Sequence, residues 1–151
     1  YVGGKAINRR FVANFNEKPK EVVMGMVERG GRAKVRHIRS SGTRSLLPQI
    51  SKNVLTGTKV YTDQWGAYKT LPKLGFTHKS INHLELYVHN NVHTQNVENL
   101  WSHIKRGIMG VYRHVDPKYL QAYVNEYAFR YSQRKSEQAM FWALMDRVQK
   151  V

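Results

Sequence analysis

Between residues 21 and 62, apolar residues come in short runs or alternate with polar ones; beyond residue 94 they recur every three or four positions. The first pattern predicts strands and the second predicts helices. Residues 21–27 (Glu-Val-Val-Met-Gly-Met-Val) are a short apolar run that fits a buried strand. Glu28-Arg29-Gly30-Gly31 reads as a hairpin turn, and residues 33–38 alternate apolar and basic, as a half-buried strand does. In residues 43–54, Leu46, Leu47, Ile50 and Val54 form one apolar stripe of a short helix. Pro48 counts against a long helix there unless it lies in the first turn. Gly57 ends that helix, and residues 58–62 read as the next strand. Residues 65–74 then read as a short helix closed by Gly75, and residues 77–82 as a last strand. At the start of the chain, Tyr1-Val2-Gly3-Gly4-Lys5 reads as the tail of a strand entering a turn, and Lys18-Pro19-Lys20 as another turn.

In the helical part, Val97, Leu100, Trp101, Ile104 and Ile108 share one face, and Gly107 and Gly110 weaken the helix end. Asp116 as N-cap and Pro117 in the first turn start a second helix that runs to about residue 134. Ser136 is expected to cap a third, which continues to Val148 with Ala139, Trp142, Leu144, Met145 and Val148 on its apolar side. Strands first, a helix between the third and fourth, then a helical C-terminal third: this order predicts an α/β fold in which helices pack on a mixed sheet. No repeat, heptad array or linker interrupts it, and 151 residues are one domain's worth of chain.

Charge narrows the partners. The chain has 25 Lys and Arg against 10 Asp and Glu, a formal net charge of +15. Such an excess repels itself unless an anion offsets it, so nucleic acid is the first candidate. Arg29, Arg32, Lys34, Arg36 and Arg39 make a basic hairpin, and Lys105, Arg106 and Arg113 a second basic strip, both suited to phosphate contact. The absence of cysteine excludes disulfides, thiolate zinc sites and cysteine nucleophiles. No stretch reaches the roughly 18 apolar residues of a membrane helix.

Acids are scarce, three Asp and seven Glu, so their placement is informative. Asp63 ends the strand Lys59-Val60-Tyr61-Thr62-Asp63, and Glu98 lies near the start of the helix Glu98-Asn99-Leu100-Trp101-Ser102-His103-Ile104-Lys105-Arg106. Phosphodiester chemistry requires charge neutralisation at the attacking and leaving oxygens. A pair of divalent ions held by carboxylates supplies it. At about 100° per residue, with Val97 at zero, Glu98 falls near 100° and Lys105 near 80°, on the rim of the buried face, while Asn99 points away near 200°. Lys105, two turns from Glu98, is placed to hold a DNA phosphate beside the metals. The plain alternative for each acid alone is a solvated helix Glu and a turn-capping Asp.

Three other groups invite a reading. Glu85, His89 and His93 are spaced i, i+4, i+8, but their segment does not read as a helix and offers no fourth zinc ligand. His93, just before the Glu98 helix, is a candidate DNA contact or a helix-entry packing residue. Among the tryptophans, Trp101 and Trp142 read as core, whereas Trp65, in the loop-like Gln64-Trp65-Gly66, is the best aromatic for the substrate side.

Several pieces recur together in order over nearly the whole chain: Tyr1-Val2-Gly3-Gly4-Lys5, Val27-Glu28-Arg29-Gly30-Gly31, Tyr61-Thr62-Asp63, residues 93–102 (His-Thr-Gln-Asn-Val-Glu-Asn-Leu-Trp-Ser), Ile104-Lys105-Arg106-Gly107 and residues 125–131 (Asn-Glu-Tyr-Ala-Phe-Arg-Tyr). In that combination the chain resembles the transposase domain of the IS1595/ISXO2-like insertion sequences and their eukaryotic relatives of the Merlin type. The resemblance implies one RNase H-like catalytic domain over residues 1–151, a mixed β-sheet flanked by helices, with a DDE-type site. The second acid then maps to Asp63 and the third to Glu98, both as metal ligands, with Lys105 as the basic residue that follows. Some members carry Asn in the third position, which keeps Asn96 and Asn99 as secondary candidates. Gln95 departs from the family's frequent Asn. The family's first Asp belongs to a motif Asp-Glu-Thr-Tyr-Val-Gly-Gly. That places it just before Tyr1 and leaves this chain one ligand short.

The activity so implied is metal-dependent cleavage and strand transfer at transposon ends, with Mg²⁺ or Mn²⁺, two ions, as cofactor. Double-stranded DNA is the partner, Arg29, Arg32, Lys34, Arg36, Trp65, His93, Asn96, Lys105 and Arg106 are the DNA-facing candidates, and a homodimer or higher multimer is expected. The implied location is the bacterial cytoplasm at the nucleoid, or the nucleus of a eukaryote. Two competing functions are a catalytically incomplete or domesticated DNA-binding module on the same fold, and a basic RNA-binding protein. No RNA-recognition signature supports the latter.

Overall fold

The structure, a computed structural model, describes residues 21–80, 95–112 and 115–148. The chain divides into two compact units, Tyr1–Met24 with His37–Gln95, and Gly25–Arg36 with Asn96–Val151. The boundary runs through a hairpin. Strand β1 (Val22–Val27) and strand β2 (Ala33–Ile38) pair in a two-stranded sheet, and their turn is closed by Glu28 N–H donating to Arg32 O at 2.9 Å.

In the first unit, helix α1 (Thr43–Asn53) buries Leu46 and Ile50. The helix has the short span expected from the sequence, and Pro48 lies in its middle rather than in its first turn. A proline there forgoes one main-chain bond. Pro48 itself is exposed, and the buried pair Leu46 and Ile50 brackets it, so the apolar stripe outweighs the missing bond. Strand β3 (Lys59–Thr62) and strand β4 (Thr77–Ser80) pair in parallel, in the register Val60 to His78 and Thr62 to Ser80. A parallel pair needs a crossover connection. The 3-10 helix Gly66–Leu74 provides it, packs on α1, and buries Ala67 and Leu71. Gly75 stops that helix at φ 82°, in the left-handed region that favours glycine, and its carbonyl accepts from Gly57 N–H at 2.9 Å. The expected mixed sheet is therefore represented, among the described residues, by two two-stranded sheets. The strand read at residues 1–5 lies outside the described residues.

The second unit is built on two helices. Helix α2 (Gln95–Gly107) buries Leu100 and Ile104 completely. It continues into a π-helical turn, Ile108–Tyr112, past Gly107. Helix α3 (Pro117–Gln133) begins as expected: the Asp116 carboxylate accepts from Lys118 N–H at 3.0 Å, and Pro117 sits in the first turn. Its buried stripe is Leu120, Val124, Ala128 and Tyr131. Three α3-side residues grip the hairpin through its main chain. Ser132 Oγ accepts from Ala33 N–H at 2.9 Å, Gln121 Nε2 donates to Val35 O at 3.1 Å, and Arg134 Nη1 donates to Gly31 O at 3.1 Å. The Arg134 guanidinium also lies 3.8 Å from the centre of the Tyr131 ring, whose hydroxyl donates to Asn96 O at 3.0 Å.

Two glycines permit close packing here. A Cβ on Gly25 would lie 2.8 Å from the Trp101 ring. A Cβ on Gly107 would overlap the Tyr127 phenol outright. Trp101 is half-buried against Gly25, part of the way to the core position the sequence suggested. Trp142 does not pack inside. Helix α4 (Met140–Val148) buries Ala143, while Phe141 and Trp142 are 61% and 60% exposed and stack edge to face on each other. Nor does Ser136 cap α4. Its hydroxyl accepts from Gln138 N–H at 3.2 Å in a local turn, and the helix opens instead with Ala139 O accepting from Trp142 and Ala143.

Candidate functional site

Asp63 follows the last residue of β3, at the carboxyl end of a parallel strand pair, the place where open α/β sheets commonly present their ligand-binding groups. Its local geometry is set by its neighbours. Asp63 Oδ1 accepts from Trp65 N–H at 3.2 Å, the self-bonded turn that aspartate favours. Thr62 Oγ1 donates to Asp63 O at 2.7 Å and lies 2.9 Å from His78 Nε2. Since the one hydroxyl proton is used on Asp63 O, His78 must donate its Nε2–H to Thr62. Burial pushes the His78 pKa below its ordinary value, which favours that neutral ring at neutral pH. The Asp63 carboxylate is exposed, and its charge is felt locally. The Tyr68 phenol is pushed up to about 12, first by its burial and then by the negative charge of Asp63.

Asp63, Gln64, Trp65, Lys69, His78 and Ser80 line a cavity of about 280 Å³. Trp65 is 54% exposed, and its indole Nε1–H donates to Ser41 O at 2.8 Å. Gln64, Lys69, His78 and Ser80 escaped the sequence reading as site residues. Part of the signal for two of them was present: alternation along Thr77-His78-Lys79-Ser80 puts His78 and Ser80 on one face, but their register with Val60 and Thr62 is set only in the folded chain.

The other expected residues lie in the second unit. Glu98 is in the first turn of α2 and exposed. A carboxylate there also complements the helix dipole. The buried sector of α2 is centred on Leu100, Ile104 and Gly107 rather than on Val97, which moves Glu98 from the rim to the open side. Lys105, about 20° from Glu98 around the helix, shifts with it, yet its long apolar stem leaves it half-buried. Asn96 is half-buried and Asn99 is exposed. On the hairpin, Arg29, Arg32 and Lys34 are exposed and Arg36 is half-buried. Arg39 is exposed in the first unit, while Arg106 is exposed and donates to Ser102 O at 3.4 Å. Asp63 and Glu98 thus belong to different units. Glu85, His89, His93 and Arg113 lie outside the described residues. Among the described residues, no three His, Asp or Glu side chains gather as a metal site, and no helix is long and apolar enough to cross a membrane.

Comparison with known proteins gives one family. The model of the ISXO2-like transposase domain matches residues 1–132. A Haemophilus influenzae protein described as an uncharacterized transposase-like protein is 28% identical over 88 residues, covering 58% of this chain and 71% of that one. No solved structure matches.

Proposed function

The chain belongs to the ISXO2-like transposase domain family, and from that premise we propose that it is the catalytic domain of a DDE-type DNA transposase. The observation that carries this reading is the family match itself, whose span includes Asp63, Glu98 and Lys105. Their placement supports it: an exposed acid follows a parallel β-strand, a second exposed acid stands in the first turn of a helix, and a half-buried lysine lies two turns on. The same premise makes an RNase H-like fold the proposed architecture, and the parallel β3–β4 pair with its helical crossover is the element consistent with it.

The donor chemistry suits Mg²⁺ or Mn²⁺. Both acids are hard oxygen ligands open to solvent, and Mg²⁺ takes one or two carboxylates while keeping several waters. Asp63 and Glu98 would hold the ions, which when bound neutralise charge at the attacking and leaving oxygens of the phosphodiester. The remaining steps fall to the protein's own groups. Lys105 holds a backbone phosphate, and Arg29, Arg32, Lys34, Arg36 and Arg106 neutralise flanking ones, which fixes register rather than sequence. Asn96 and His93 complete the proposed DNA-facing set. A water or a DNA 3′-hydroxyl attacks phosphorus in line, the bond to the leaving oxygen breaks, and no covalent enzyme intermediate forms. Positioning and charge are then the whole of the catalysis. Such a domain acts on DNA in the cytoplasm or nucleus, as a dimer or larger assembly with transposon ends and target.

The test is cleavage of DNA bearing the element's ends by the protein with Mg²⁺ or Mn²⁺. Asp63→Ala is expected to abolish cleavage while DNA binding persists. Undiminished cleavage by Asp63→Ala overturns the site. Salt-dependent binding with no cleavage under any metal favours the DNA-binding module instead.

A further inference from the structure

An exposed tryptophan is rarely held rigidly, because surface indoles usually keep rotamer freedom. Trp65 is 54% exposed yet tied at both ends of the residue. Its main-chain N–H donates to Asp63 Oδ1 at 3.2 Å, and its indole Nε1–H donates to Ser41 O at 2.8 Å. Trp65 lines the cavity beside Asp63, and its indole orientation is set by the bond to Ser41, so a planar ligand stacking on it has little side-chain entropy to immobilise.

The rest of the cavity narrows the ligand. Its volume of about 280 Å³ is just below the roughly 300–1,000 Å³ of sites that enclose drug-sized molecules, room for one ring system with its nearest substituents. Gln64 and Ser80 supply side-chain donors and acceptors at its edge, and Lys69 supplies a positive charge. A wholly anionic ligand is disfavoured by the Asp63 carboxylate. A planar, neutral, hydrogen-bonding ring joined to a phosphate suits every wall. Neither of the other tryptophans offers this: Trp101 packs against Gly25, and Trp142 is paired with Phe141.

Resting on the transposase reading above, we propose that this cavity takes one unpaired nucleobase of the DNA, stacked on the Trp65 indole with its neighbouring phosphate held by Lys69. Inside a duplex both faces of a base are stacked, and the pair that ends a blunt duplex frees one face but stays tied to its partner, so a pocket for a single base selects DNA whose end is opened or single-stranded beside Asp63. Stacking accepts any base, because every base has a π-face. The pocket thus reads the state of the strand rather than its sequence.

The test uses the whole chain in EDTA, which prevents cleavage, and two labelled duplexes of the same sequence, one blunt and one with a short single-stranded 3′ extension. Fluorescence anisotropy gives the ratio of their affinities. The wild type is expected to favour the extended duplex by about ten- to a hundredfold. Trp65→Ala brings that ratio close to one, while Trp65→Phe and Trp65→Tyr keep most of it. Trp65→Phe lacks the donor to Ser41, so its retained preference assigns the effect to the ring. A ratio lost equally in Trp65→Phe and Trp65→Ala overturns stacking. Equal wild-type affinity for both duplexes, or an unchanged preference in Trp65→Ala, overturns the pocket and leaves the DNA-acting reading standing. No binding to either duplex removes both.

Discussion

The unit that carries Asp63 and the unit that carries Glu98 hold their acids in different ways. Around Asp63 the order is local and polar: a self-bonded turn, a threonine hydroxyl, a histidine and a tethered indole, all beside an open cavity. Glu98 rides on a helix whose inner face is sealed at Leu100 and Ile104, and which packs so closely that Gly25 and Gly107 leave no room for a methyl group. One acid sits in a turn held by local polar bonds, the other on a helix held by close packing. The contrast teaches that substitutions should fail differently in the two units: by loss of local order in the first, by overpacking in the second.

The largest expected effect concerns the chemistry. Glu98→Gln should lower metal-dependent cleavage more than about a hundredfold, beyond the 10–100-fold cost of removing a supporting residue, while Asn96→Ala and Asn99→Ala should cost far less. A full loss in either Asn variant, with Glu98→Gln active, moves the third acidic position off Glu98. Next comes packing. Leu71→Ala, at a fully buried position in the first unit, should destabilise by about 3 kcal/mol in denaturant unfolding. Gly107→Ala should cost about 2–3 kcal/mol in the second unit. Trimming Tyr127 to Ala in that background should return part of the loss. Native-state hydrogen exchange sharpens the comparison, since each variant should expose amides of its own unit first.

The smallest effect is one of pH. The Tyr68 phenol titrates at about 12 in the folded chain, above its ordinary 10.0. The neutral phenol is therefore favoured by folding. Its stabilisation is complete below pH 10 and is lost as pH rises from there through about 12. Tyr68→Phe should flatten that loss. Because Asp63 supplies the second part of the shift, Asp63→Asn should move the tyrosinate absorbance titration of Tyr68 downward. An unmoved titration would place the two groups too far apart to interact.

Local chemistry was legible from residues alone wherever one element decided the outcome. Asp116-Pro117 opened α3, Gly75 closed the crossover helix, and the alternation in residues 33–38 made a strand. The errors came where tertiary partners decide. Trp142 read as core because periodicity shows that a face is apolar, not that anything covers it. The cavity beside Asp63 was half legible. Asp63 and Trp65 announce themselves in one short run, but His78 and Ser80 reach the site only through the register of a parallel pair, which no local pattern encodes.

The grip of α3 on the hairpin has a consequence for how such a protein can change over generations. Ser132, Gln121 and Arg134 hold Ala33, Val35 and Gly31 by their main-chain atoms, which every amino acid but proline supplies in full. The outward side chains of Arg29, Arg32 and Lys34 take no part in those three bonds. Mutation can therefore redraw the charge pattern of the hairpin without breaking those three bonds, so its outer surface can change while the framework beneath it is kept.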